Sequence, residues 1–168
     1  MEEIEKLKSR GLDEYLENEK YAQVEDLITA CAVNLSNSLA GIMYEMYKVR
    51  GTKTKPNEDQ IRSDIQIVIE HIAILAHCLD LGIPEYEEIM EFYEDDVGFD
   101  LKMDVCLAAM NANYISSNMS LEYFSNGFGE DDPVDNNMMQ VGILDVICSM
   151  MAICNRLGFD FIDVIVRG

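Results

Sequence analysis

Displaced by 78 positions, this sequence meets itself. Asp26-Leu27 falls on Asp104-Val105, Ala30 on Ala108, Ser38 on Ser116 and Gly51 on Gly129. Pro56 meets Pro133 at a displacement of 77, and Leu81-Gly82 meets Leu157-Gly158 at 76. The lost positions fall in Gly- and Pro-bearing stretches, where changes of loop length are tolerated. A supersecondary unit stated twice has to bury its apolar face against its own copy, and this restricts the fold severely. We read an N-terminal arm over 1–21, a first repeat over 22–98 and a second over 99–168, within a single domain of 168 residues. A chain of that length can bury a core without disulfide or metal staples.

Each copy reads as a helical hairpin. Ile28, Ala32, Leu35, Leu39, Ile42, Met46 and Val49 step by four and three, the seam of a packed helix. Gly51 ends that helix, and a basic loop runs to Pro56. Asn57, with Gln60 three residues on, supplies an N-cap and a capping-box partner. The second seam is Ile61, Ile65, Val68, Ile72, Leu75 and Leu79, stopping at Leu81-Gly82. Val105, Ala108, Ala112, Ile115 and Met119 mark a third long helix. Asp132-Pro133 opens a fourth, lined by Ile143, Ile147, Met150, Cys154 and Leu157 and closed by Gly158. Asp160 caps a last turn. The arm carries a thin stripe of Ile4, Leu7, Leu12, Tyr15 and Leu16, with Gly11 as a break. No stretch alternates with the period of a strand. The fold expected is all-α: a four-helix bundle of two duplicated hairpins, with short peripheral helices.

Charge narrows the partners. Twelve Lys and Arg stand against 32 Asp and Glu, a net −20. Binding to a nucleic-acid backbone runs on cations that displace counterions, so it is excluded as an expectation. What remains is a small polar ligand or nucleotide, or a basic protein surface. Five cysteines without a CxxC pair point to reduced, buried thiols rather than a metal-thiolate site. The charged N-terminus lacks an apolar signal region. The apolar stretches are read as interrupted short of the roughly 18 residues a membrane span needs. A cytoplasmic protein is expected. Eleven Met and eight Tyr suit either core filling or a homo-oligomer contact.

Polar residues interrupt the apolar helices: Asn34 and Asn37 on the first, Asp64 and His71 on the second, Asn111 on the third, Asp145 on the fourth. Asparagine competes with its own backbone and is a poor mid-helix residue. These six are the candidate ligand-binding set, weighed against a solvated face for the amides and a satisfied, semi-buried imidazole for His71. Lys53, Lys55 and Arg62 are the candidate anion contacts. Between Glu85 and Asp100 eight carboxylates occur without a base. Within that run Glu87, Glu88, Glu91, Glu94 and Asp95 are candidate contacts for a basic partner, or a solvated face.

The segment from Asp145-Val146-Ile147 through Ala152-Ile153-Cys154-Asn155-Arg156-Leu157-Gly158-Phe159-Asp160 resembles the last helix of the all-α nucleoside triphosphate pyrophosphatases, the MazG-like enzymes and their dimeric dUTPase relatives. The resemblance implies a helical bundle and Mg²⁺ held by two acidic pairs, Glu-x-x-Glu on one helix and Glu-x-x-Asp on another. Hard oxygen ligands on adjacent turns suit that ion. Asp145 matches the family's aspartate, but Gly142 stands where the glutamate belongs. Asn34 and Asn37 replace one acidic pair, and Ile67 stands where an acid should follow Asp64. The resemblance therefore implies a non-catalytic relative that binds or sequesters a nucleotide or similar small ligand. The alternative is an acidic interaction protein or inhibitor occupying a basic, nucleic-acid-type site. A divergent pyrophosphatase ranks last, and Mg²⁺ enters only with it.

Overall fold

A computed structural model describes residues 2–18, 24–52, 54–78, 80–96 and 136–167. Six helices and no strand occur among the described residues: α1 (Glu2–Leu16), α2 (Val24–Thr52), α3 (Glu58–Cys78), α4 (Tyr86–Asp96), α5 (Asn136–Leu157) and α6 (Phe161–Val166). The fold is all-α. The third long helix expected around 105–119, and with it Asn111, lies outside the described residues.

Among the described helices α3 is the central one. It packs most extensively on α2 and also against α1, α5 and α6. Its seam residues Ile61, Ile65, Val68, Ile72 and Leu75 are buried, and so are Ile69, Ala73, Ile74 and Ala76 around the rest of the helix. A single apolar stripe faces one neighbour, whereas burial all round requires neighbours on several sides. The α2 seam meets α3 through Ile28, Leu35, Leu39 and Ile42. On α5, Ile143, Ile147, Met150 and Cys154 enter the same core. The acidic α4 docks on α5 through the fully buried Ile89, whose carbonyl accepts a hydrogen bond from the Cys148 thiol at 3.5 Å.

Several local features depart from the sequence reading. Gly11 does not break the arm: α1 continues through it as one helix. There Gly11 lies against α3, where a Cβ would stand 2.4 Å from the Glu70 carboxylate. The N-cap of α3 is Asn57, whose Oδ1 accepts from the Gln60 amide at 3.3 Å. The reciprocal half of the capping box comes from another helix, since the Asn57 amide donates to Glu45 Oε2 of α2 at 2.8 Å. Gln60 is left to hydrogen-bond Asp64 instead.

The stop of α3 is also displaced. Asp80, at φ 56°, is the left-handed residue, and the Leu81 amide reaches back to the Ala76 carbonyl at 2.9 Å. At the end of α5, Gly158 at φ 73° plays the same part, with the Phe159 amide on the Cys154 carbonyl at 2.8 Å. Both are Schellman-type closures. They correspond at a displacement of 78, not at the 76 that the Leu-Gly pairs suggest.

The membrane reading is corrected as well. Residues 27–44 contain no charged side chain, and Asp26–Met46 and Gln140–Leu157 are long and apolar enough to cross a membrane. Their windows are 39% and 56% buried within the protein.

Candidate functional site

Three side chains from three helices converge where α1 packs on α3 beside α2. The His71 Nδ1 lies 2.7 Å from the Ile67 carbonyl one turn earlier. A carbonyl only accepts, so Nδ1 carries the proton and Nε2 is the acceptor. Tyr15 brings its hydroxyl to Nε2 at 2.8 Å, with the rings edge-on at 88°. Asn34 Nδ2 donates to the Tyr15 oxygen at 2.7 Å and lies 3.1 Å from His71 Nε2. Burial holds the His71 pKa below the usual histidine value, against the opposing pull of the Ile67 carbonyl and the Glu14 charge. The imidazole is neutral at pH 7.

This cluster lines a cleft of about 300 Å³, together with Gly11, Glu14, Ile67 and Glu70. Glu70 is half-buried beneath α1. Its pKa is raised, first by burial; Arg10 draws it down and Glu14 pushes it further up.

A second polar group lies in the α2–α3 seam and is closed to solvent. Asp64 is 5% exposed, and its Oδ2 has no hydrogen-bond partner among the described residues. Burial raises its pKa most; hydrogen bonds from Gln60 and Ser38 oppose this, and the Glu45 charge adds to it. Oδ2 presses on the α2 backbone at Gly41, where a Cβ would stand 2.4 Å away.

The remaining candidates disperse. Asn37 is exposed, and Asp145 is half-buried on α5 and does not line the cleft of Tyr15 and His71. Of the anion candidates, Lys55 is exposed and Lys53 lies outside the described residues. Arg62 stacks on the Phe159 ring, 3.7 Å from its centroid. It borders a cleft of about 660 Å³ whose walls also carry Asp59, Asp160 and Asp163. On α4, Glu87, Glu88 and Glu91 are exposed, while the side chains of Glu94 and Asp95 are outside the described residues. Glu88 is partly engaged, because its Oε2 accepts from the Glu85 amide at 2.9 Å and so caps its own helix.

Neither a known protein family, nor a characterised protein, nor a solved structure matches the chain.

The Mg²⁺ implied by the pyrophosphatase resemblance does not fit these residues. Asn34 is committed to Tyr15 and His71. Asp64 Oδ2 faces the α2 backbone. No group of three His, Cys, Asp or Glu is placed to hold a metal among the described residues. At the four described cysteines thiol chemistry is also disfavoured. Burial lifts Cys78 to about 11 and Cys148 and Cys154 to about 12, and it raises Cys31 as well, so the reactive thiolate is scarce at pH 7.

Sequence reasoning singled out Asn34 and His71 but missed Tyr15 and Gly11 as parts of one site. Tyr15 and His71 are 56 residues apart, and nothing in local spacing connects them. The available signal was a glycine in mid-helix, which costs stability unless a neighbour needs the space.

Proposed function

We propose that the protein binds a small polar ligand, a nucleotide or a molecule of similar size, in the cleft between α1, α2 and α3, without hydrolysing it. The observation that carries this reading is the Tyr15–Asn34–His71 cluster, a preorganised polar floor in a cleft walled by Gly11, Glu14, Ile67 and Glu70. Small-molecule sites combine a concave wall with a few fixed polar groups. Glu14 and Glu70 on the wall disfavour phosphate, so a nucleotide would enter by its base and leave its phosphates outside. The reading keeps the helical architecture of the pyrophosphatase resemblance and omits its reaction, for want of the carboxylates that reaction needs.

A thermal-shift screen against nucleotides, nucleosides and other small polar compounds, with products followed by chromatography, tests it. Stabilisation by one compound without turnover, lost in Asn34→Ala, is the expected result. Turnover with Mg²⁺ would refute the non-catalytic reading. A second reading draws on the exposed Glu87 and Glu91 of α4, which fit a basic protein surface. It predicts partner binding that weakens steeply with salt and is indifferent to Asn34→Ala.

A further inference from the structure

We propose that the group this cleft accepts is a cationic nitrogen, a protonated amine or guanidinium of a small molecule, with Glu70 as its counter-ion. The inference rests on the cleft being a ligand site and adds the chemical class.

The donor hydrogens of the cleft floor are already engaged. His71 Nδ1–H is spent on the Ile67 carbonyl. The Tyr15 hydroxyl proton is spent on His71 Nε2, and the Asn34 amide is directed at the Tyr15 oxygen and the same nitrogen. The three polar residues of the floor thus satisfy one another and offer an anion few free hydrogens. The wall adds only acceptors, the carboxylates of Glu14 and Glu70. A surface so composed solvates a cation and repels a phosphate or carboxylate.

Glu70 supplies the second strand. Its carboxylate is drawn partly out of water under α1, where Gly11 has no side chain to separate the helix backbone from it. Glu14 faces it from α1 with like charge, and Arg10, also on α1, is the opposing cation. A half-desolvated carboxylate beside a second one is stabilised by any cation that reaches both. The cleft is at the small end of ligand sites, and a guanidinium or primary amine on a short chain fits it. Planar guanidinium can also bridge carboxylate and amide oxygens at once.

Calorimetric titration of the full chain at pH 7.5 and physiological salt tests the assignment, with agmatine and adenosine as probes. Agmatine is expected to bind with one-to-one stoichiometry and to lose at least about tenfold in affinity in Glu70→Gln, the loss of a half-buried charge-assisted partner. Glu14→Gln, at an exposed position where folding is not at risk, is expected to weaken it several-fold. Glu91→Gln on α4 controls for general attraction of a cation to an acidic surface and is expected to leave binding unchanged. Equal weakening in Glu91→Gln and Glu70→Gln would overturn the assignment. Adenosine binding that ignores Glu70→Gln but is lost in Asn34→Ala would overturn the cation and keep the ligand site. Binding of neither probe, with no hit in the wider screen, would overturn both.

Discussion

Replacing Gly41 by alanine should destabilise the protein, although alanine is the better helix former. In an exposed helix the exchange gains about 1 kcal/mol. Here the new Cβ would stand 2.4 Å from Asp64 Oδ2 and 3.1 Å from its Cγ. Asp64 is 5% exposed and tied to Gln60 and Ser38, so it cannot swing aside as a surface side chain would. Overpacking a seam costs about 1–3 kcal/mol, and each hydrogen bond broken as Asp64 moves costs about 1 kcal/mol more. Set against the helix-propensity gain, a net loss of about 2 kcal/mol is expected. For a chain of this length that corresponds to a fall in Tm of roughly 4–8 °C. The decisive comparison is a double-mutant cycle. Asp64→Ala empties the space the new methyl group needs, so Gly41→Ala in that background should become neutral or stabilising, a coupling of about 2 kcal/mol. Urea unfolding followed by far-UV circular dichroism measures all four corners. Additivity within about 0.5 kcal/mol would refute the close approach of Gly41 and Asp64 as the cause.

The buried acids give opposite pH signatures to the buried imidazole. The fold raises the Asp64 pKa, so the native state holds that proton more tightly than the unfolded chain does. The contribution is full below about pH 3.9 and is lost as pH rises through the folded value; Asp64→Asn should flatten that decline in a pH series of unfolding curves. His71 works the other way, because its folded pKa is depressed. Its contribution is present above about pH 6.5 and is lost as pH falls through the folded value. Tyr15→Phe removes the hydroxyl that donates to His71 and should cost about 1 kcal/mol, with α1 amides gaining hydrogen exchange before those of α3; uniform exchange would count against it. Asp80→Gly relieves a non-glycine residue at φ 56° and should raise stability by about 1 kcal/mol in the same unfolding assay.

The helices were legible because their apolar spacing is regular. Ile28, Leu35, Leu39 and Ile42 are buried as their four-and-three steps require, as are Ile61, Ile65, Val68, Ile72 and Leu75. Periodicity names one face, however, and cannot count the neighbours around a helix. That α3 is enclosed by four others follows from tertiary packing, with its isoleucine-rich run the only local hint. Chain ends were less legible. Leu81-Gly82 looks like a stop, but the left-handed position fell to Asp80, which aspartate can adopt at modest cost. The candidate site was half legible. Asn34 and His71 stand out as polar residues in apolar helices, while Tyr15 reads as one more member of a stripe until α1 is docked. Glu45 gave no signal at all, since its partner is a backbone amide in another helix.

That contact between Glu45 and Asn57 bears on the order in which the chain acquires its shape. One carboxylate, twelve residues before the amide it receives, ties the start of α3 to the side of α2. The loop it closes is short, and short loops close with little entropic penalty. The α2–α3 seam carries its own apolar contacts, its N-cap and this tie before any residue of α1 or α5 is needed. The hairpin is therefore expected to be the nucleus to which the other helices add. Substitutions at Glu45 should slow refolding, whereas those at Tyr15, made in a helix that docks later, should chiefly hasten unfolding.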